Sequence, residues 1–286
     1  MFELKQPKTY EEQVAILKQH GCVIDDEETC IRVLANVNYY RLSAYFLPFK
    51  EKNGCYRKGT TFNQIYQIYE FDRKLRNLLF GALEAIETSL KTRLAYLHGH
   101  QYGPLGYLDP KHFNKHHDGD RFVNLINSEI SRNEKLLFVK HHKEKYDGRF
   151  PIWVITELFS FGMTSYFYAD LHTIDKKAIS KQYGVNYQNL QSWLRCLTDL
   201  RNICAHHGRL YYRVFSASPK GLDIPERSKR RLWGIMLTLK SVYPSSAKWE
   251  LEVLPKLQSL FNEYSSYISL YHLAFPKNWF DQLSII

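Results

Sequence analysis

Apolar residues return every three or four positions through most of the chain, with polar residues between them, and this period predicts helices. "YEEQVAILKQHG" starts behind a Thr9 cap and stops at Gly21. "DDEETCIRVLANVNYYRLSAYFLPF" predicts one or two further helices ended by Pro48, and "KEKNGCYRKGTTF" a polar loop or small hairpin. The clearest helix spans about 62–97, where Ile65, Ile68, Phe71, Leu75, Leu79, Ala82, Ile86 and Leu90 keep a 3.6-residue period. A loop punctuated by Gly, Pro and Asp follows at 100–120. Further helices are expected at about 121–145, 151–171, 174–183, 187–212, 227–242 and 248–262. No stretch alternates with period two for long, and there is no internal repeat. The pattern predicts an all-α fold. It divides into an N-terminal helical region (1–58), a helical core (59–215) and a C-terminal basic loop with helices packed on that core (216–286).

One predicted helix carries the wrong residues for a core. In "LTDLRNICAHHGRLYYR" (197–213), Leu197, Leu200 and Cys204 lie at helical spacing, yet Arg201, Asn202, His206, His207 and Arg209 crowd the same turns. At about 100° per residue, Arg201 falls about 40° from Leu197, inside the apolar stripe. Arg195, Asp199, Asn202, His206 and Arg209 fall on the opposite side, between about 120° and 200°. A guanidinium in a core stripe needs a partner, and Glu87 at the margin of the long helix is the candidate. Asn202 and His206 share a face at i, i+4. An imidazole can move a proton near neutral pH, and a guanidinium can hold a phosphodiester and the charge that grows on it. An amide can orient either group. These side chains suit metal-free RNA cleavage, in which a base activates the 2′-hydroxyl against the adjacent phosphorus. On a regular helix, however, Arg201 and His206 point about 140° apart. Either the helix is distorted, or two copies of the chain complete the site across a two-fold interface.

The charge points the same way. The chain carries a formal +10 with a pI of about 9.2, which suggests a polyanionic partner, nucleic acid ahead of membrane. From Arg195 to Arg231 nine cations face three anions, so +6 of the excess lies in the segment that holds the motif. The 21 tyrosines either pack or offer faces on which bases stack. Five cysteines without a C-x-x-C pair fit neither a disulfide framework nor a zinc knuckle. The opening "MFELKQPKTYEE" lacks the layout of a signal peptide, and no stretch approaches the ~20 apolar residues of a membrane span. The expectation is a cytoplasmic protein that does not enter membranes.

Spacing alone is weak evidence: sixteen arginines and twelve histidines give roughly 0.7 chance matches to R-x4-H. "RLAYLH" (Arg93 to His98) is a second match. Context adds specificity. "RNICAHHGRLYYR" resembles the R-N-x-x-x-H signature of the HEPN superfamily. With "ANVNYYRLSAYFLPF", "IYEFDRKLRNLLFGALEAIETSLKTRL" and "PIWVITELFSFGMTSYFY" in the same order, the chain resembles the Abi-like abortive-infection family (AbiD/AbiF type) over about residues 10–215. The resemblance implies a HEPN-like helical bundle with added N- and C-terminal helices, a phage-defence role and kinship with the HEPN nucleases of type VI CRISPR effectors. It implies Arg201 and His206 as catalytic and Asn202 as their polar helper. It also implies a homodimer with a composite site and a small noncoding RNA as partner and regulator. The helical-face argument alone nominates His207, Arg209, Arg213 and Arg195 as RNA contacts. The alternative is a HEPN-fold RNA-binding module of a defence or toxin–antitoxin system that does not cut.

Other signals are weaker. "KHFNKHHDGD" and "KHHKEKY" are rich in histidine but lack a metal-ligand pattern, and no metal or cofactor is expected. Neither G-x-G-x-x-G nor a P-loop is present. Cys204 reads as packing, and "NVNYYRLSAYF" as packing or as a base-stacking surface.

Overall fold

The stripe that begins at Ile65 folds as one helix of 41 residues, about 60 Å long. In the computed structural model, which describes residue 4 and residues 6–285, this helix is the spine against which the others pack. The remaining N-terminal residues of the 1–58 region lie outside the described residues. In chain order the helices are α1 (Tyr10–Gln19), α2 (Glu27–Asn36), α3 (Tyr39–Phe46), α4 (Phe62–Tyr102), α5 (Gly119–Arg132), α6 (Leu137–Lys145), α7 (Ile152–Ile155) and α8 (Phe161–Asp170). There follow α9 (Thr173–Lys181), α10 (Tyr187–Ala205), α11 (Glu226–Lys229), α12 (Leu232–Val242), α13 (Ser246–Lys248), α14 (Leu254–Glu263) and α15 (Trp279–Leu283). Among the described residues there is no sheet, only three isolated bridges such as Val23 with Thr61. The fold is all-α.

Local chemistry sets the ends. Thr9 and Glu12 form a reciprocal capping box at α1. The Thr61 hydroxyl accepts from the Gln64 amide at 3.0 Å to start α4, and Gly103, at φ 80°, ends it five residues beyond the predicted stop. Ile65, Phe71, Leu75, Leu79, Leu83 and Leu90 on α4 are fully buried. They face α10, α3, α7, α8 and α14, and one apolar cluster runs from Val14 to Leu283. Burial of this surface is the main driving force of folding.

Besides the 227–242 helix, which divides at Arg230 and Arg231 into α11 and α12, three predicted helices are broken where their periodicity ran on. The 121–145 helix stops at Arg132, where Asn133 takes the cap position and turns its side chain back onto the Glu129 carbonyl. The 151–171 helix breaks before Ser160, whose hydroxyl accepts from the Met163 amide at 3.2 Å and starts α8 afresh. The third break lies in the motif. α10 ends at Ala205, seven residues short of the predicted 212. His207 sits in the left-handed region at φ 56°, and its amide donates to the Cys204 carbonyl at 3.2 Å. The Gly208 amide donates to the Ile203 carbonyl at 2.7 Å. This pair of bonds is a Schellman turn with histidine at the position glycine usually holds. Glycine eases the packing one residue later, because a Cβ on Gly208 would stand 3.1 Å from the Ile203 side chain and 3.4 Å from its carbonyl oxygen, a tight fit. Arg209 therefore does not continue the polar stripe of α10, and the straight-helix angle assigned to it is corrected.

Candidate active site

After the turn the chain is drawn back onto α4 by a buried charge. Asp72 and Arg76, one helical turn apart, form an ion pair at 2.7 Å with side chains 0% and 4% exposed. The Asp72 carboxylate also accepts from the Tyr45 hydroxyl at 2.7 Å, the Leu210 amide at 3.0 Å and the Tyr211 amide at 2.8 Å. Arg76 reaches the Gly208 carbonyl at 3.3 Å. Burial pushes the Asp72 carboxyl up, while Arg76, the Tyr45 hydroxyl and the two amides pull it back. Two further arginines hold the same loop. Arg41 donates to the His207 carbonyl at 2.9 Å, and Arg209 donates to the Ala44 carbonyl with its guanidinium 5.9 Å over the Tyr45 and Tyr212 rings. The backbone of 207–211 is thus fixed from α3 and α4, so the exposed end of α10 stands on a rigid support.

Arg201 lies on the other side of that end. Its side chain is half-buried, with Nε 3.9 Å from Glu87 Oε2, and Nε finds no hydrogen-bond partner. Glu87 is the predicted neighbour, but its closer partner is Lys91 at 3.0 Å. The guanidinium lies 5.8 Å from the Phe80 ring in a hollow of about 300 Å³ that Glu84, Glu87, Thr88 and Lys91 also line. Arg201 is therefore held near α4 without being locked to a carboxylate. Asn202 and His206 are exposed, and the His206 amide still donates to the Asn202 carbonyl at 2.9 Å, so the two keep their helical relation. His207 is exposed beside them.

The four nominated RNA contacts separate. Arg195 and Arg213 are exposed. Arg209 is half-buried and serves the loop. Arg195 lies ten residues before the end of α10, about 15 Å along its axis. Sequence reasoning missed Asp72, Arg76, Tyr45 and Arg41, which position the motif loop. A carboxylate and a guanidinium at i, i+4, directly after the core residues Phe71 and Leu75, were the available signal.

The second R-x4-H match has a structural role. Arg93 donates to the Gln182 carbonyl at 3.1 Å and lies over the Tyr183 ring, while His98 is completely buried. Burial pulls the His98 imidazole down to about 4. Cys204, packed on the core side of α10, is pushed up to about 12 by burial, which leaves it a thiol rather than a nucleophile. The histidine-rich loop is tied internally: His112 bonds the Gly106 carbonyl at 2.8 Å and stacks on Tyr102, and His117 meets Asp170 at 2.9 Å. Among the described residues no three His, Cys, Asp or Glu side chains converge as metal ligands, and no helix is long and apolar enough to cross a membrane.

A family model described as Abi-like protein matches residues 32–212, well over half of the chain. No curated protein and no solved structure matches it.

Proposed function

The chain belongs to the Abi-like family of abortive-infection-type proteins, and from that premise we propose that it is a metal-independent endoribonuclease of HEPN type. The observation that carries the reading is the end of α10: Asn202 and His206 are exposed on a braced turn, and on the other side of the same end stands a half-buried Arg201, 3.9 Å from Glu87 and without a hydrogen bond at Nε. In the proposed reaction His206 takes the proton from a ribose 2′-hydroxyl, and the 2′-oxygen attacks the adjacent phosphorus. The bond to the 5′-oxygen breaks, that oxygen takes a proton from an imidazolium or from water, and a 2′,3′-cyclic phosphate remains. Arg201 holds the phosphate and stabilises the charge growing on it, and Asn202 orients the phosphate or the imidazole.

Within one chain Arg201 and His206 diverge by about 140° around the helix. The reading therefore includes a two-fold homodimer in which the ends of two α10 helices face each other and each motif completes its mate. RNA is the substrate, a small noncoding RNA is the proposed regulator, and Arg195, His207 and Arg213 contact the strand.

The test is cleavage of a labelled single-stranded RNA in EDTA by wild type, Arg201→Ala and His206→Ala, with DNA as control. Wild type should cut RNA and leave DNA intact, and each substitution should lower the rate by about 10² or more. RNA binding without cleavage, unchanged by His206→Ala, would select the non-cutting binding module instead.

A further inference from the structure

α10 has a second polar surface, toward its N-terminal end. There Tyr187, Gln191 and Arg195 form one wall of a cleft of about 640 Å³. Lys176 of α9 and the chain around Lys220 supply the others. Three cations line this cleft and none of its lining residues is acidic. Arg201, Asn202 and His206 do not line it.

Lys176 is the unusual member. It is 8% exposed, yet its ammonium is held only by neutral oxygens, the Ala169 carbonyl at 2.9 Å and Gln191 Oε1 at 3.4 Å. An ammonium has three donors, so one is left unclaimed. A desolvated cation without an ion partner is costly, and an anion in the cleft would offset that cost. Asp170, whose charge acts on Lys176 from beyond ion-pair distance, holds His117 at 2.9 Å, and Asp199 accepts at 3.5 Å from Ser216, a residue of the cleft lining.

The opposite wall is fixed in place. Trp193 Nε1 donates to the Lys220 carbonyl at 2.7 Å, and the Lys220 amide donates to Ser192 Oγ at 3.1 Å. Ser192 in turn donates to the Ser218 carbonyl at 3.3 Å. Gly221, at φ 73°, lies against Asn189 so closely that a Cβ there would stand 2.0 Å from the amide nitrogen. Lys220 is thus seated opposite Arg195 by bonds to α10 itself.

We propose that this cleft binds the phosphate of a ribonucleotide, gripped by Arg195, Lys220 and Lys176, with the half-buried Tyr187 ring as a surface on which the base stacks. The phosphate belongs either to an RNA strand or to a free nucleotide. In the first case the cleft deepens the RNA reading above, as an anchor about 15 Å along α10 from the cutting end. Binding there does not require cleavage.

The experiment measures affinity of the full chain carrying His206→Ala for a 3′-labelled single-stranded RNA by polarisation and for AMP by calorimetry. Arg195→Glu and Lys220→Glu are made on that background. Both side chains are exposed, so these variants should fold, with circular dichroism as the check. Lys140→Glu on α6, outside the cleft, controls for net charge. Each cleft variant should weaken binding by about 10-fold or more, and the slope of log affinity against log salt should fall by about 0.7 for each phosphate the variant no longer neutralises. Sensitivity in the AMP arm identifies a free-nucleotide site, and sensitivity in the RNA arm alone identifies a strand phosphate. If neither arm responds more to the cleft variants than to Lys140→Glu, the proposal is overturned. If an otherwise wild-type chain with His206→Ala still cuts RNA at full rate, the nuclease reading fails while the cleft stands on its binding data.

Discussion

Asp72→Asn tests whether the buried ion pair holds the motif loop. The substitution keeps the shape of the side chain and removes its charge, so Arg76, 4% exposed, loses its counter-ion. Removing one partner of a buried pair costs about 3–5 kcal/mol. Only one amide oxygen then remains for the Leu210 and Tyr211 amides, which the two carboxylate oxygens now share with the Tyr45 hydroxyl. A buried donor left unpaired adds about 1–3 kcal/mol. The sum, about 4–8 kcal/mol, is a large part of the 5–15 kcal/mol that holds a typical domain together. Urea unfolding followed by circular dichroism, with wild type and Arg76→Met alongside, reads it directly. The double variant should lose less than the sum of the two singles, because each single leaves the other charge stranded. A loss below about 1 kcal/mol for Asp72→Asn, or strict additivity in the double variant, would refute the role given to this pair.

Other outcomes follow from single groups. His98 is buried with its pKa near 4, against an ordinary 6.5, so the unfolded chain binds more protons between these values and stability rises with pH across that window. The loss from pH 7 down to pH 4 is about 3 kcal/mol, about 2 of it by pH 5, and His98→Leu should flatten that part of the stability profile. His207→Gly relieves a left-handed residue at φ 56°. It should gain about 0.5–1 kcal/mol by thermal unfolding after the entropy of glycine is subtracted. At saturating RNA the cleavage rate should survive that change if His206 is the proton-transfer group, with only the affinity for RNA weakened, and loss of the saturated rate would move the role to His207. Gly234→Ala places a Cβ 2.5 Å from the Lys229 carbonyl oxygen. It should cost about 1–3 kcal/mol, and a wild-type melting temperature would show that the α11–α12 turn can give way.

Much of this molecule is written in its sequence. The period of apolar residues gives the all-α class and the long α4, because burial of a 3.6-residue stripe is a local property of the pattern. The caps at Thr9 and Thr61 are likewise short-range chemistry. The R-N-x-x-x-H motif and its basic surroundings were visible because polar residues on a core-like helix break the pattern. The breaks at Asn133, Ser160 and Ala205 were not, because apolar periodicity continues through each of them while the backbone turns. At Ala205 a histidine holds the position where glycine would have signalled the stop. The partners 138 and 139 residues apart, Asp72 with the Leu210 and Tyr211 amides, are a matter of tertiary structure alone. So is the cationic cleft, whose three basic side chains lie on separate segments at 176, 195 and 220. Sequence periodicity reports which face of a helix is buried, but a backbone amide or a carbonyl carries no letter, and the bonds that set the motif loop and the Lys220 wall are made largely to such groups.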